Sequence, residues 1–287
     1  MPQKPVIILF NGFGSSKKWW EYDFKDTTLT KLNFLKELRR IGDTYTFNLT
    51  CFNINNYYTP TSTKEKKQYK KLDEKVRPHT NNLNFTLEDL DFKTICNNVY
   101  TDVIKKYGSK RKFIIIGHSY GSVLSILFSK LYASKCILCV CIDGFAYELK
   151  YIKNVVNREN KKNININQLQ EFLSALKNNI SSKKKNITID KIYDIISYQF
   201  AQHALKYYDP VLHVKTLFFR SYASENNLKK LNGSRRNKTS YEEKQSLKKY
   251  NNISMFKYIL LLDAPHFVWY EQEYSNIMID NIKYMIK

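Results

Sequence analysis

One strand–turn–helix segment in the middle of the chain constrains the fold more than any other feature. Residues 111–116 are mostly apolar and β-branched, which predicts a buried strand, and residues 122–131 have the apolar spacing of a helix. The pentapeptide Gly-His-Ser-Tyr-Gly at positions 117–121 joins them. A turn this sharp strains the serine backbone and needs small residues two positions before and after it, where this chain has glycine both times. The segment therefore predicts a nucleophile elbow, with Ser119 Oγ raised above a sheet at the start of a helix.

Predicted strands and helices alternate along most of the chain, which indicates an α/β fold. We expect a mostly parallel central sheet flanked by helices on both faces, with an inserted helical lid. Thr86 and Asp89 resemble a capped helix start, and Gly108 ends the same helix. The predicted strands are 6–10, 44–52, 111–116, 135–142, 214–219 and 258–262, and the predicted helices are 31–40, 86–107, 122–131 and 271–286.

Residues 145–210 interrupt this alternation, because they show helical spacing and no clear strand. The segment is too long and too regular for a plain loop, so we interpret it as a lid. The expected organisation is a core formed by residues 1–144 and 211–287 with a helical lid at 145–210. Residues 53–84 and the stretch between the last two strands are polar, basic insertions.

The chain is strongly basic, with a formal net charge of +21. Lysine supplies most of this charge in segments that otherwise resemble loops or solvated helix faces. Lysine, asparagine, isoleucine and tyrosine are abundant together, as in proteins from the AT-rich genomes of protists or large viruses, and this bias accounts for the charge without any partner. The alternative is an anionic membrane surface; no specific nucleic-acid partner is expected.

We expect no membrane span and no secretion signal in this sequence. The apolar run 6–10 is too short for the core of a signal peptide, and no stretch approaches the roughly 20 apolar residues that span a bilayer. We therefore expect a cytoplasmic protein. Cys136, Cys139 and Cys141 lie in an apolar run, where cysteine behaves as a small hydrophobic residue, and the Cys-x-x-Cys has no partner pair. No metal site and no cofactor is predicted.

In the order of its elements the chain resembles the α/β-hydrolase superfamily. The resemblance covers nearly the whole chain: an opening strand with the turn Asn11-Gly12-Phe13-Gly14, the elbow, a helical insertion after the next strand, and a late histidine. The family's turn usually reads His-Gly-x, and Asn11 stands in place of that histidine. Because backbone groups form the oxyanion hole in this turn, the departure is mild.

An acyl-transfer site needs a nucleophile, a base, a group that orients the base, and donors for the developing oxyanion. Ser119 is the candidate nucleophile, and the backbone N–H groups of Phe13 and Tyr120 are the candidate oxyanion donors. Gly12 leaves the amides of its turn open to a bound carbonyl. Gly12 and His118 are the candidate substrate-binding residues.

His266 is the candidate base among five histidines. It follows the last predicted strand in a proline-bordered loop, and the carboxyl ends of strands are where such sheets place function. Its position after the serine also agrees with the chain order of the family. Of the others, His118 lies within the elbow, His79 in an insertion and His203 in the predicted lid.

The acid behind this histidine has more than one candidate. In the resembling family it usually follows the penultimate strand, and Glu225 is the carboxylate in that loop here. Some relatives take it from the end of the strand after the elbow, where Asp143 stands. Asp263, or the absence of an acid, remains as a further alternative.

These residues together favour a serine hydrolase that cleaves a carboxylic ester or thioester through an acyl-enzyme, with an apolar acyl or lipid-like small molecule as substrate. An acyltransferase or a peptidase on the same scaffold is the first alternative. A non-catalytic binding protein that retains the pocket is the second. The sequence does not fix the oligomeric state.

Overall fold

A computed structural model describes residues 3–12, 20, 34–47, 91–144, 213–222, 256–264 and 268–287, together with residues 153, 157, 202, 203 and 205–207. The insertion predicted at 53–84 and nearly all of the predicted lid lie outside the described residues. The boundaries of core and lid therefore stay a prediction.

Six parallel strands form one sheet within the described residues, in the order β2-β1-β3-β4-β5-β6. The predicted α/β class with a mostly parallel sheet is confirmed. The strands are β1 (Val6–Phe10), β2 (Asp43–Thr46), β3 (Phe113–His118), β4 (Cys136–Ile142), β5 (Thr216–Tyr222) and β6 (Phe256–Leu262).

Helices cover both faces of the sheet. Val6, Ile8 and Phe10 of β1 point into one apolar core, and Ile7 and Leu9 point into the other, because successive side chains of a strand alternate. The first core packs against the helices at 92–107 and 121–131, and the second against those at 34–41 and 272–285. A strand buried on both faces must be apolar throughout, which explains the unbroken β-branched runs. The helices are α1 (Phe34–Ile41), α2 (Phe92–Tyr107), α3 (Gly121–Leu131) and α4 (Gln272–Met285), and a short 3₁₀ turn spans Val268–Tyr270.

The start of α2 differs from the prediction. The helix begins at Phe92, and Asp91 caps it: its backbone is extended and its carboxylate accepts the Thr94 N–H at 2.9 Å. The prediction that this helix begins at Thr86 is therefore wrong, because its capped N-terminus lies at Asp91. Its predicted end is confirmed, because Gly108 adopts φ +86° and donates its N–H to Ile104 O at 2.9 Å.

Strand order reverses between β1 and β3. From β1 the chain moves outward to β2, returns to β3 on the other side of β1, and continues to β6. In open α/β sheets, ligands bind outside the carboxyl ends of the strands at this reversal. The turns that follow β1 and β3 begin at Asn11 and Ser119.

The described cysteines are free thiols inside the core. Cys96, Cys136, Cys139 and Cys141 are all buried. Burial raises the pKa of the Cys96, Cys136 and Cys141 thiols, so they stay protonated and packed. In the described part of the chain, histidines, cysteines and carboxylates form no group of three that could hold a metal ion. No helix there is long and apolar enough to cross a bilayer.

Replacing Asp91 by alanine is expected to lower the free energy of unfolding by about 1–2 kcal/mol at pH 7. The change removes the cap of α2 and the hydrogen bond that Tyr207 donates to Asp91 at 3.0 Å. Urea unfolding measures the loss. Asp280→Ala, an exposed helix carboxylate, serves as control and should change the value by less than about 0.5 kcal/mol.

The Asp91 contribution should depend on pH. Burial raises the pKa of the Asp91 carboxyl, but hydrogen bonds from Thr94 and Tyr207 and the charge of His203 together outweigh it, so the pKa lies below its ordinary value. A lowered folded-state pKa gives stability that is present above the unfolded value of about 3.9 and is lost as the pH falls below it. The difference between wild type and Asp91→Ala should therefore persist from pH 5 to pH 8 and shrink below about pH 4. A difference that grows on acidification would contradict this.

Candidate functional site

Ser119 lies in a sharp turn between β3 and α3. Its backbone adopts φ +53°, a left-handed conformation that costs a non-glycine residue about 1–3 kcal/mol. Two hydrogen bonds hold it there: its N–H donates to Ile142 O at 2.9 Å, and its carbonyl accepts the Ser122 N–H at 3.1 Å. The serine is thus fixed at the carboxyl end of the sheet, beside the N-terminus of α3, where the helix dipole favours negative charge.

The two glycines that flank Ser119 are required by close backbone contacts. A Cβ at Gly117 would lie 2.2 Å from both Gly121 O and Ser125 Oγ, and one at Gly121 would lie 2.3 Å from Phe10 O. Atoms cannot approach this closely without moving the backbone, so α3 packs against the ends of β1 and β3 only because both positions lack a side chain.

The turn after β1 contacts the same point. A Cβ at Gly12 would lie 2.8 Å from His118 Nδ1 and 3.1 Å from Ser119 Cβ. Gly144, just after β4, approaches from the other side, since its Cβ would lie 2.7 Å from Ser119 O. The ends of β1, β3 and β4 therefore converge on Ser119. Phe13, the first predicted oxyanion donor, lies outside the described residues, while Tyr120 directly precedes α3.

His118 lies in an aromatic cluster beneath this point. It is 2% exposed, and its ring meets that of Trp269 edge-on at 4.7 Å. Trp269 stacks in turn on Trp20 at 4.4 Å. These contacts account for His118 as a packed residue, and its assignment to substrate binding stays a prediction. The sequence did not point to either tryptophan. Trp20 follows the predicted turn 11–14, and Trp269 follows the predicted loop that contains His266.

Asn11 has a structural role of its own. Its Oδ1 accepts a hydrogen bond from Trp20 Nε1, and its Nδ2 donates to Phe47 O at 3.1 Å. The amide side chain supplies both the acceptor and the donor of these two bonds. The hydrogen bonds of Asn11 therefore connect the turn after β1 to the aromatic cluster and to the segment after β2.

Asp143, the alternative acid, lies at the end of β4 in a partly buried ion pair with Arg220. Its backbone has φ +41°, and its Oδ1 accepts hydrogen bonds from Arg220 Nη1 at 3.0 Å and from the Ser221 N–H at 3.2 Å. Arg220 Nη1 also donates to Gly144 O at 2.9 Å. The sequence did not point to Arg220 as a site residue. The available indication was that Arg220 is the single cation in β5.

The end of β6 is connected to this pair. Ser221 Oγ donates a hydrogen bond to Ala264 O, the carbonyl two residues before His266. Ala264 is buried, as are Val268 and Trp269 on the other side of the histidine. Asp263 is exposed and adopts φ +56°. His266 and Glu225 lie outside the described residues, so their roles stay predictions.

Comparison with known proteins identifies the fold. No protein-family model matches the chain, and no curated protein matches it in sequence. Among solved structures, MenH from S. aureus is 12% identical with a TM-score of 0.50, covering 100% of this chain and 96% of that one. A probable hydrolytic enzyme from Pseudomonas aeruginosa is 13% identical with a TM-score of 0.50, covering 100% of this chain and 87% of that one. The parallel sheet, its helices on both faces and this likeness together show that the chain has the α/β-hydrolase fold.

Proposed function

We propose that this protein is a serine hydrolase that cleaves carboxylic esters or thioesters through an acyl-enzyme on Ser119. One observation carries the proposal: a serine in a left-handed turn, at the strand-order reversal of the sheet and at the N-terminus of a helix. A strained backbone is retained only where surrounding structure holds it, and such positions cluster at active sites.

Backbone N–H groups of Phe13 and Tyr120 form the oxyanion hole in this proposal. The approach of Gly12 to Ser119 supports it, because the residue after Gly12 then begins next to the nucleophile. Tyr120 is the residue after the nucleophile and precedes α3, so its amide shares the positive end of the helix dipole.

His266 is the base in this proposal, and the position of Trp269 supports it. β6 is three strands from β3, about 14 Å across the sheet, yet the Trp269 ring contacts the ring of His118. A chain advances at most about 3.6 Å per residue, so three residues limit the Cα separation of His266 and Trp269 to about 11 Å. The chain after β6 thus returns to the residue that precedes Ser119.

Glu225 is the proposed acid, with Asp143 as the alternative. The Arg220 guanidinium and the Ser221 amide both bind Asp143 Oδ1, and a histidine would have to share this carboxylate with them. Because of this competition, Glu225, which follows β5 in the sequence, remains the preferred candidate for the acid.

The proposed reaction has two steps. His266 removes the Ser119 proton as Oγ bonds to the substrate carbonyl carbon, and it returns that proton to the alcohol or thiol that leaves. A water molecule, deprotonated by the same imidazole, then attacks the acyl carbon. The imidazolium returns this proton to Ser119 Oγ as the acyl–oxygen bond breaks, which releases the carboxylic acid and regenerates Ser119 and the base. Negative charge develops on the carbonyl oxygen in both steps, where the two backbone donors stabilise it.

The proposed substrate is an apolar acyl or lipid-like ester. The predicted lid is rich in isoleucine, leucine, phenylalanine and tyrosine, which would cover an apolar chain. In the alternative to a compositional origin of the +21 net charge, an anionic membrane surface is where the protein would meet such a substrate. One solved structure with this fold is described as a probable hydrolytic enzyme, in agreement with the proposal.

A fluorophosphonate probe tests the proposal. We expect the native protein to be labelled once, and the labelled peptide to contain Ser119, because only an activated serine attacks the phosphorus atom. Heat-denatured protein is the control and should not react. Absence of labelling in the native protein, or labelling at another serine, would refute the proposal. A series of p-nitrophenyl esters then tests the acyl preference, with kcat/KM expected to rise with chain length.

A further inference from the structure

We propose that Ser221 is a positioning residue for the base loop, the segment 264–268 that carries His266. The inference rests on the proposed function for its catalytic meaning, and on described contacts for its geometry. Ser221 is the point at which the ends of β4, β5 and β6 are joined.

The first contact joins β5 to β4. The Ser221 N–H donates to Asp143 Oδ1 at 3.2 Å, and Arg220 Nη1 donates to the same oxygen at 3.0 Å. The Asp143 N–H donates to Phe219 O at 2.7 Å, in the same direction as the strand pairing. The Asp143 side chain is 8% exposed and that of Arg220 is 14% exposed, so solvent screens this pair little. Ser221 is therefore fixed to a rigid part of the sheet.

The second contact joins β5 to the base loop. Ser221 Oγ donates to Ala264 O, whereas strand pairing between β5 and β6 ends with Tyr222 opposite Leu262. Beyond Leu262 the backbone turns sharply at Asp263, with φ +56°. The serine hydroxyl thus continues the attachment of β6 to β5 after the backbone ladder has ended.

The base loop is also held at its far end. Val268 and Trp269 are 0% and 2% exposed, and the Trp269 ring stacks on Trp20. Apolar packing holds that end. At the near end the Ser221 hydroxyl acts together with the burial of Ala264 and with the Ala264 N–H, which donates to Leu261 O at 3.5 Å. Removing the hydroxyl should leave the packing intact and loosen the near end of the loop.

Catalysis is more sensitive to such a release than folding is. A displacement of about 1 Å in a catalytic group can cost a hundredfold in rate. A single hydrogen bond, by contrast, changes overall stability little. A serine that positions the base loop should therefore affect kcat more than KM, because substrate contacts elsewhere are unchanged.

Ser221→Ala tests this against Ser129→Ala. Ser129 is the control, because its hydroxyl likewise donates to a backbone carbonyl, Ser125 O at 2.7 Å, within α3, and Ser129 is the more deeply buried of the two serines. We expect Ser221→Ala to lower kcat about tenfold to a hundredfold with KM within about twofold of wild type. Ser129→Ala should stay within about twofold in both, and Ser221→Thr, which keeps a hydroxyl, should recover at least half of the lost activity on a logarithmic scale.

Amide hydrogen exchange of peptides that cover 264–269 gives a readout independent of activity. We expect faster exchange in Ser221→Ala than in wild type and no change in Ser129→Ala. Equal exchange in Ser221→Ala and wild type overturns the inference, whether or not the protein is active. Faster exchange with unchanged kcat overturns the positioning role. If wild type hydrolyses no ester, the proposed function fails, and the exchange data still decide whether Ser221 holds the loop.

Discussion

We expect Ser119→Ala to lower kcat for ester hydrolysis by about five to six orders of magnitude. The alanine removes the oxygen that forms the acyl-enzyme, so the two-step route is closed and only water activated by the remaining groups can react. Residual acceleration from the oxyanion donors and substrate binding should leave a rate about a thousandfold above that in water. Hydrolysis of a p-nitrophenyl ester, followed by release of the phenolate, measures the loss.

The fold should survive this substitution. Serine and alanine meet the same steric cost at φ +53°, and both hydrogen bonds at this position are made by the backbone of residue 119. The free energy of unfolding should therefore stay within about 1 kcal/mol of wild type. Ser129→Ala, with full activity, controls for the loss of a serine near the site. Retention of more than about 1% of the activity in Ser119→Ala would remove the acyl-enzyme from the proposed route.

The regular part of the fold could be predicted from local pattern alone. Strands buried on both faces, such as β1 and β4, must be apolar at every position, and this leaves a signal within five to seven consecutive residues. Each helix has an apolar face because that face packs against the sheet. The parallel order follows from alternation of the two, since parallel neighbours need a crossover connection.

Element ends were harder to predict than the elements themselves. The sequence predicts the cap of α2 at Thr86, whereas the structure has it at Asp91, whose carboxylate accepts the Thr94 N–H. β3 continues to His118 because that residue still pairs with Ile142 across the sheet. From sequence, the glycine before His118 indicates an earlier end.

The supports of the candidate site could not be predicted from sequence, because they join residues far apart in the chain. Arg220 meets Asp143 across 77 residues, and Ser221 meets Ala264 across 43. The hydrophobic periodicity of a strand or helix indicates which of its faces is buried, but it does not indicate such contacts between distant residues. Asn11 shows the same limit, because the hydrogen bond that it accepts from Trp20 is seen only in the structure.

Replacement of the proposed acid has the second largest expected effect. We expect Glu225→Gln to lower kcat about 10⁴-fold, because an amide in place of the carboxylate no longer stabilises the imidazolium and favours the wrong tautomer of the base. Asp143→Asn should lower kcat only about tenfold, because Asn Oδ1 can still accept from Ser221 and Arg220. Its larger effect should be on stability, a loss of about 1–3 kcal/mol, since a buried guanidinium loses its counter-charge. Both kcat values are measured well below the unfolding transition of each variant, with urea unfolding as the check on folding. A 10⁴-fold loss in Asp143→Asn, together with a loss of less than tenfold in Glu225→Gln, would identify Asp143, at the end of β4, as the acid.

Arg220 would then bind the catalytic carboxylate. In that case its replacement by methionine should alter the pH dependence of kcat, whereas with Glu225 as the acid the replacement should leave the pH dependence unchanged.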